Sequence, residues 1–274
     1  MYPHILSMVG ASLLAFSSAQ ASLVAYWSMD DVSGNLADSS GNNLTATPSG
    51  TGLTYGQASV SSGTYGNITL SGAQAASFGT AIDFDRSQSG YATLSGQPAI
   101  IETLAEVGPT GSFTVMAWVN PESLPSNTTY RIFATGAPGG WGLGVANVDR
   151  VRFTTFGVQD FTSTGTPVAS GTWQHVAATF ADGVVSMYHN GQLIGSSPAS
   201  SGFVDENGAN NFVIGGNSNL SSDLFNGLMD EVRIYDTALT EQEIIDAATV
   251  PEPGATALLG LAGVALLLRR RKDG

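Results

Sequence analysis

Phe113-Thr-Val-Met-Ala-Trp-Val119, bounded by Gly111-Ser112 and Asn120-Pro121, is the stretch whose reading decides the fold. Phe113, Val115, Ala117 and Val119 share one face at period two, and Thr114, Met116 and Trp118 share the other. Both faces are largely apolar, so this strand is expected centrally in a sheet. Downstream, Trp173 to Phe180 and Val184 to Ile194 are joined by Asp182-Gly183, and Asn190-Gly191 turns the chain again. Asx-Gly pairs suit tight primed turns, which need positive φ. Leu23 to Trp27, Ala81 to Phe84, Tyr91 to Leu94, Phe212 to Gly215 and Leu228 to Tyr235 read as further short strands, separated by Gly, Asn, Ser and Pro. One helix is expected, where the capping-box pattern Thr240-Glu-Gln-Glu243 leads into Ile244 to Ala248. Many strands without alternating helices predict an all-β, two-sheet antiparallel jelly-roll sandwich.

Composition limits what such a sandwich does. The 274 residues hold 34 Gly and no Cys, with 11% charged and 42% hydrophobic residues. Disulfide and thiol chemistry are thereby excluded. Four of the nine basic residues sit in the last few positions, leaving five Arg and no Lys against 20 acids between the two ends. That region lacks the basic footprint that phosphate recognition requires, so nucleic acid is excluded as a partner.

Both ends read as addressing segments. Ile5 to Phe16 is apolar, and Ala19-Gln20-Ala21 fits the small-x-small rule for signal peptidase, although His4 stands where Lys or Arg is usual. Residues 1–21 are expected to be a signal peptide, a buried N-terminal helix being the alternative. At the other end, Pro251-Glu252-Pro253 precedes an apolar run of 14 residues, 255–268, and then Arg269-Arg270-Arg271-Lys272. The run is short against the ~20 residues that cross a bilayer unaided, and the cations would hold its end on the cytoplasmic side. Residues 250–274 resemble the PEP-CTERM sorting tail of Gram-negative bacteria. The resemblance implies an exosortase-type sorting enzyme as partner, transient membrane insertion through a tail helix, removal of the tail, and delivery to the cell surface or extracellular matrix.

The domain between, residues 22–249, resembles LamG-like jelly rolls. The resemblance rests on Phe113 to Trp118, on Trp173-Gln-His-Val-Ala-Ala-Thr-Phe180 with Tyr188-His-Asn-Gly-Gln192, and on Phe225 to Tyr235 with the Thr240 helix. It implies the concanavalin A-like fold, which hosts lectins, glucanases, adhesive modules and structural units, and so does not settle function.

For glycoside hydrolysis, laminarinase-type relatives carry Glu-x-Asp-x-x-Glu on one strand, which this chain lacks; Asp230-Glu231 places two adjacent acids on opposite faces. No Gly-x-Ser-x-Gly elbow occurs, and His175 and His189 are too few for a convincing zinc set. Calcium suits the oxygen donors better. Asp30, Asp38 and Asn42 in an early loop, with Asp230 on the last strand, are the candidate ligands of a structural calcium, a position the resemblance also implies. The competing reading gives Asp38 and Asn42 to Asx turns. Trp141, set among glycines, and Tyr130 are the candidate glycan-binding aromatics, with core packing as the alternative. The expected function is a non-catalytic exported domain for adhesion and glycan contact. The alternatives are a divergent polysaccharide hydrolase and a purely structural matrix protein.

Overall fold

The computed structural model describes residues 21–96, 98–106, 111–136, 140–146, 149–165, 167–198 and 211–250. The expected signal peptide up to residue 20, and the sorting tail with Pro251, Glu252, Pro253, Arg269, Arg270 and Arg271, lie outside the described residues. In chain order the first strands are β1 (Leu23–Trp27), β2 (Ala46–Ser49), β3 (Leu53–Ala58), β4 (Gly63–Tyr65), β5 (Ile68–Leu70) and β6 (Thr80–Phe84). Next come β7 (Tyr91–Leu94), β8 (Ser112–Pro121), β9 (Thr129–Ala134), β10 (Trp141–Ala146), β11 (Arg150–Thr155) and β12 (Gln159–Thr162). The set ends with β13 (Gln174–Ala181), β14 (Val184–His189), β15 (Gln192–Pro198), β16 (Phe212–Ile214) and β17 (Gly227–Tyr235). Three helices accompany them: α1 (Gly72–Ser77), α2 (Ala99–Glu106) and α3 (Glu241–Thr249).

Two antiparallel sheets stack face to face. One runs β15-β14-β13-β8-β17-β6-β3 with β1 also on β17, and the other runs β12-β11-β10-β9-β16-β7-β2. β8 lies between β13 and β17, as its two apolar faces require. Its inward residues Phe113, Val115, Ala117 and Val119 join the core between the sheets. Met116 and Trp118 point outward into a second apolar cluster with Ile68, Tyr235, Ile244 and Ala248. That outer face is therefore covered by the β4–β5 hairpin and α3. The Trp118 indole N–H donates to the Ala248 carbonyl at 3.0 Å, tying the helix end to the sheet.

The predicted turns form as read: Asp182 and Gly183 have φ of 50° and 74°, and Asn190 and Gly191 of 51° and 73°. The Thr240 capping box also forms. Unpredicted are α1, α2, the strands β2 to β5 inside the Ser/Gly-rich early passage, and the strands β9 to β12 between Thr129 and Thr162. α1 buries no side chain, so it carries no apolar stripe to read.

The last strand has one irregularity that matters below. β17 pairs with β6 through Gly227 to Met229 and with β1 through Val232 to Tyr235, so those two strands meet end to end along it. Between them β17 bulges, and Glu231 adopts a left-handed φ of 55°.

Candidate functional site

The expected calcium ligands separate into two places. The Asp38 carboxylate accepts from the Tyr26, Ser40 and Leu44 backbone amides and from the Ser40 hydroxyl. Four donors occupy its two oxygens, leaving no lone pair arrangement suited to a cation. The Asn42 side-chain amide donates to the Val24 carbonyl at 2.8 Å. Asp38 and Asn42 therefore lace the early loop to β1, as Asx-type loop residues do. Asp30 and Asp230 do lie near one another, at the junction of β1 and β6. Asp30 accepts the Thr80 amide at 2.7 Å, and Asp230 accepts the Ser59 hydroxyl. Calcium takes six to eight oxygens, from carboxylates, carbonyls and water together; of the four predicted ligands, only Asp30 and Asp230 are brought to one place. The four predicted ligands do not assemble into one coordination shell, and among the described residues no three acidic or histidine side chains are grouped to hold a metal.

The junction is instead a buried charge cluster. Asp230 is fully buried, and its Oδ1 has no hydrogen-bond partner. Burial first, and then the neighbouring Glu231, push its carboxyl well above the ordinary range. Burial also raises Glu231 to about 6, against the opposing pull of Arg233 and Tyr26. The Tyr26 hydroxyl donates to Glu231 at 2.8 Å, and Arg233 forms an ion pair with the same carboxylate. Arg233 also donates to the carbonyls of Ala247 and Val250, so it fastens the end of α3 beneath the strand. Beside it, Trp118 and His175 are direct cross-strand partners in edge-to-face contact at 5.4 Å. Burial, with Arg233 and His189 nearby, lowers His175 to about 3, so the ring is neutral and neither nitrogen finds a partner. Nothing in this cluster opens to a substrate; it joins strands and helix.

The glycan expectation for Trp141 and Tyr130 is corrected by burial. Trp141 is 1% exposed and packs against Phe113, Phe133 and Phe153 inside the sandwich. Gly142 and Gly144 after it lie on β10, and a Cβ at Gly144 would come within 2.3 Å of the Tyr130 carbonyl on β9. Tyr130 is 3% exposed, packs on Phe225, and its hydroxyl accepts from Arg86 at 2.8 Å. Neither is a surface platform.

Polar residues of recognition type lie instead on the outer face of the second sheet. Arg131 stacks its guanidinium 5.0 Å from the Phe156 ring and donates to the Thr154 hydroxyl at 2.9 Å. Thr154 in turn donates to Asp160, which pairs with Arg152 at 3.2 Å. Asp223 pairs with Arg131 at 3.5 Å. Burial lowers Arg131 from its usual value, and Asp223 and Asp160 work against that shift. The result is a lattice in which each acid is matched by a base. It runs out to β12, where a cavity of about 260 Å³ lies between β12 and β15. Its walls carry Gln159, Asp160, Thr162, Thr164, Ser196 and Ser197. Its base is Phe161 and Met187, both part of the core. Sequence reading missed this site because it is built from short hydroxyl side chains of ordinary strands, which carry no motif.

Comparison with known proteins fits this architecture. Residues 86–245 match the model of the concanavalin A-like lectin/glucanases superfamily, and residues 249–272 match the PEP-CTERM protein-sorting motif. The curated proteins hold no match to the sequence. Among solved structures, the chain is similar to domain 4 of AbnA, an extracellular arabinanase from Geobacillus stearothermophilus, solved with arabinotriose. The identity is 24%, with a TM-score of 0.55 over 83% of this chain and 98% of that one. It is similar to the binding domain of Paraclostridial Mosquitocidal Protein 1 at 16% identity and a TM-score of 0.53, over 82% of this chain and 51% of that one. It is also similar to a Trypanosoma rangeli sialidase mutant at 19% identity and a TM-score of 0.52, over 82% of this chain and 32% of that one. At such identities the likeness is one of fold, shared by binding domains and by parts of carbohydrate-active enzymes alike. The sorting motif indicates a secreted, surface-sorted protein of Gram-negative bacteria. With the family model covering more than half of its length, the chain belongs to the concanavalin A-like lectin/glucanases superfamily.

Proposed function

We propose that this protein is an exported, non-catalytic module that contacts extracellular glycan at the bacterial surface or in the matrix. The observation that carries the reading is the charge-matched lattice of the second sheet: Asp160 is paired with Arg152 and Asp223 with Arg131. Glycoside hydrolysis needs two carboxylates free to serve as acid and as nucleophile or base. The members of the lattice that reach the surface, the Asp160–Arg152 pair beside Thr162, suit hydrogen bonding to sugar hydroxyls instead. The arabinotriose in the similar AbnA domain supports the same reading. The tail would engage an exosortase-type enzyme at the inner membrane and be removed before the domain reaches the surface.

The test pairs two measurements on the full chain in detergent micelles. Saturable binding to extracellular polysaccharide without release of reducing ends is expected. Release of reducing ends that tracks protein concentration would overturn the reading in favour of a hydrolase. Flat results in both assays would leave a structural matrix component.

A further inference from the structure

The cavity between β12 and β15 is where the two sheets end together. β12 is the last strand of one sheet and β15 of the other, so the outer edge of each has no strand partner among the described residues. At one end the edges are stitched shut. The Gly165 amide donates to the Ile194 carbonyl at 3.1 Å, and a Cβ on Gly195 would lie 3.4 Å from the Ser163 Cα. Beyond that stitch the edges part around the cavity of about 260 Å³. Its volume is slightly below the range of drug-sized ligand pockets, about 300–1,000 Å³, which suits a single ring better than a long chain.

We propose that this edge groove binds one residue of a neutral saccharide. The proposal rests on the reading of the chain as a glycan-contacting module and assigns that contact to a place. Four lining residues carry hydroxyls, Thr162, Thr164, Ser196 and Ser197, and Gln159 carries an amide; Thr162 already accepts from Arg152 at 3.0 Å and Ser196 pairs with the Ser186 hydroxyl at 3.1 Å, which leaves Thr164 and Ser197 as the hydroxyls the proposal uses. Each hydroxyl both donates and accepts, the pattern that sugar hydroxyls require of a partner. The one acid, Asp160, is already neutralised by Arg152. No uncompensated cation lines the groove to hold a uronic or sialic acid, and the chain's formal net charge of −13 repels anionic sugars further. Phe161 and Met187, each 2% exposed, close the base of the groove with apolar side chains. A peptide adding as a strand would need long alternating side-chain pockets, for which these short polar walls are ill suited. At the stitched end, Ser163 is 3% exposed and its hydroxyl has no hydrogen-bond partner.

The proposal is tested on a glycan array carrying neutral, uronic-acid and sialylated oligosaccharides, with an array of extended peptides in parallel, using the full chain in detergent micelles. Two variants accompany the wild type. T164A/S197A removes wall hydroxyls at exposed and partly exposed positions. Gly195→Ala narrows the groove by one methyl, since a Cβ there meets nothing nearer than 3.4 Å. Wild type is expected to retain neutral glycans, and each variant to bind them about tenfold more weakly or worse, with an unchanged melting temperature. Neutral-glycan binding that both variants keep at wild-type strength would move the site elsewhere while leaving the glycan reading in place. Retention of anionic glycans or of peptides alone would overturn the assignment. An array on which nothing binds would remove the glycan reading together with the groove.

Discussion

Glu231 and Arg233 form an ion pair in which the two side chains are 3% and 1% exposed, directly beneath the end of α3. Glu231 lies in the bulge between the paired residues Asp230 and Arg233, and its left-handed backbone accompanies a side chain aimed at Arg233, two residues on. Removing one partner of such a pair strands the other charge in the interior. Arg233→Met should therefore destabilise the domain by about 3–5 kcal/mol, read from urea denaturation. The double variant E231Q/R233M should recover part of that loss, because no lone carboxylate remains. A loss below about 1 kcal/mol for the single variant would mean that the pair is solvated.

Asp230 supplies a pH signature. Its carboxyl is held well above the ordinary range when folded, so the unfolded chain releases this proton at lower pH than the native state does. Stability from this group is present at low pH and is lost as pH rises through its folded value. Asp230→Asn removes that loss. Its melting temperature relative to wild type should be near equal around pH 3 and rise progressively toward pH 7. A variant less stable than wild type at pH 7 would show that the ionised carboxylate has a partner that offsets its burial.

Chelation follows from the arrangement of Asp30, Asp38, Asn42 and Asp230. With Asp38 and Asn42 engaged by β1, EGTA should leave the melting temperature unchanged, and added calcium should not raise it. A calcium-dependent rise that Asp230→Asn abolishes would place an ion at the Asp30–Asp230 junction.

Processing is checked by intact mass. The protein recovered from the cell surface should end near Pro251-Glu252-Pro253, with the apolar run and Arg269 to Arg271 removed. A surface form retaining Arg271 would rule out tail removal.

Much of the sandwich was legible because its rules are local. The period-two pattern of Phe113 to Val119 placed β8, and two Asx-Gly turns placed the strands around β14. Trp141 was misplaced for a physical reason: glycine is permissive of loops but also allows close strand approach, and only the position of the Tyr130 carbonyl distinguishes the two at Gly144. Asp38 and Asp230 likewise look alike as residues. One is satisfied by four neighbouring donors and the other has a bare oxygen, a difference created by the β1–β6 junction and invisible along the chain. The edge groove was beyond reach because its walls come from strands of two different sheets.

The antiparallel pairing of β1 with β17 brings both borders of the domain to one spot. The Ser22 amide donates to Asp236 at 2.8 Å, while Arg233, opposite Tyr26, holds the Val250 carbonyl at 3.0 Å. Both borders of the described domain share a single root, so an attachment made there would hold the sandwich from one point. β15 lies four strand spacings from β17, roughly 19 Å across the sheet. A domain hung this way would sweep its far rim through an arc of that radius, searching a neighbouring polymer as a pendulum does and not as a fixed wall.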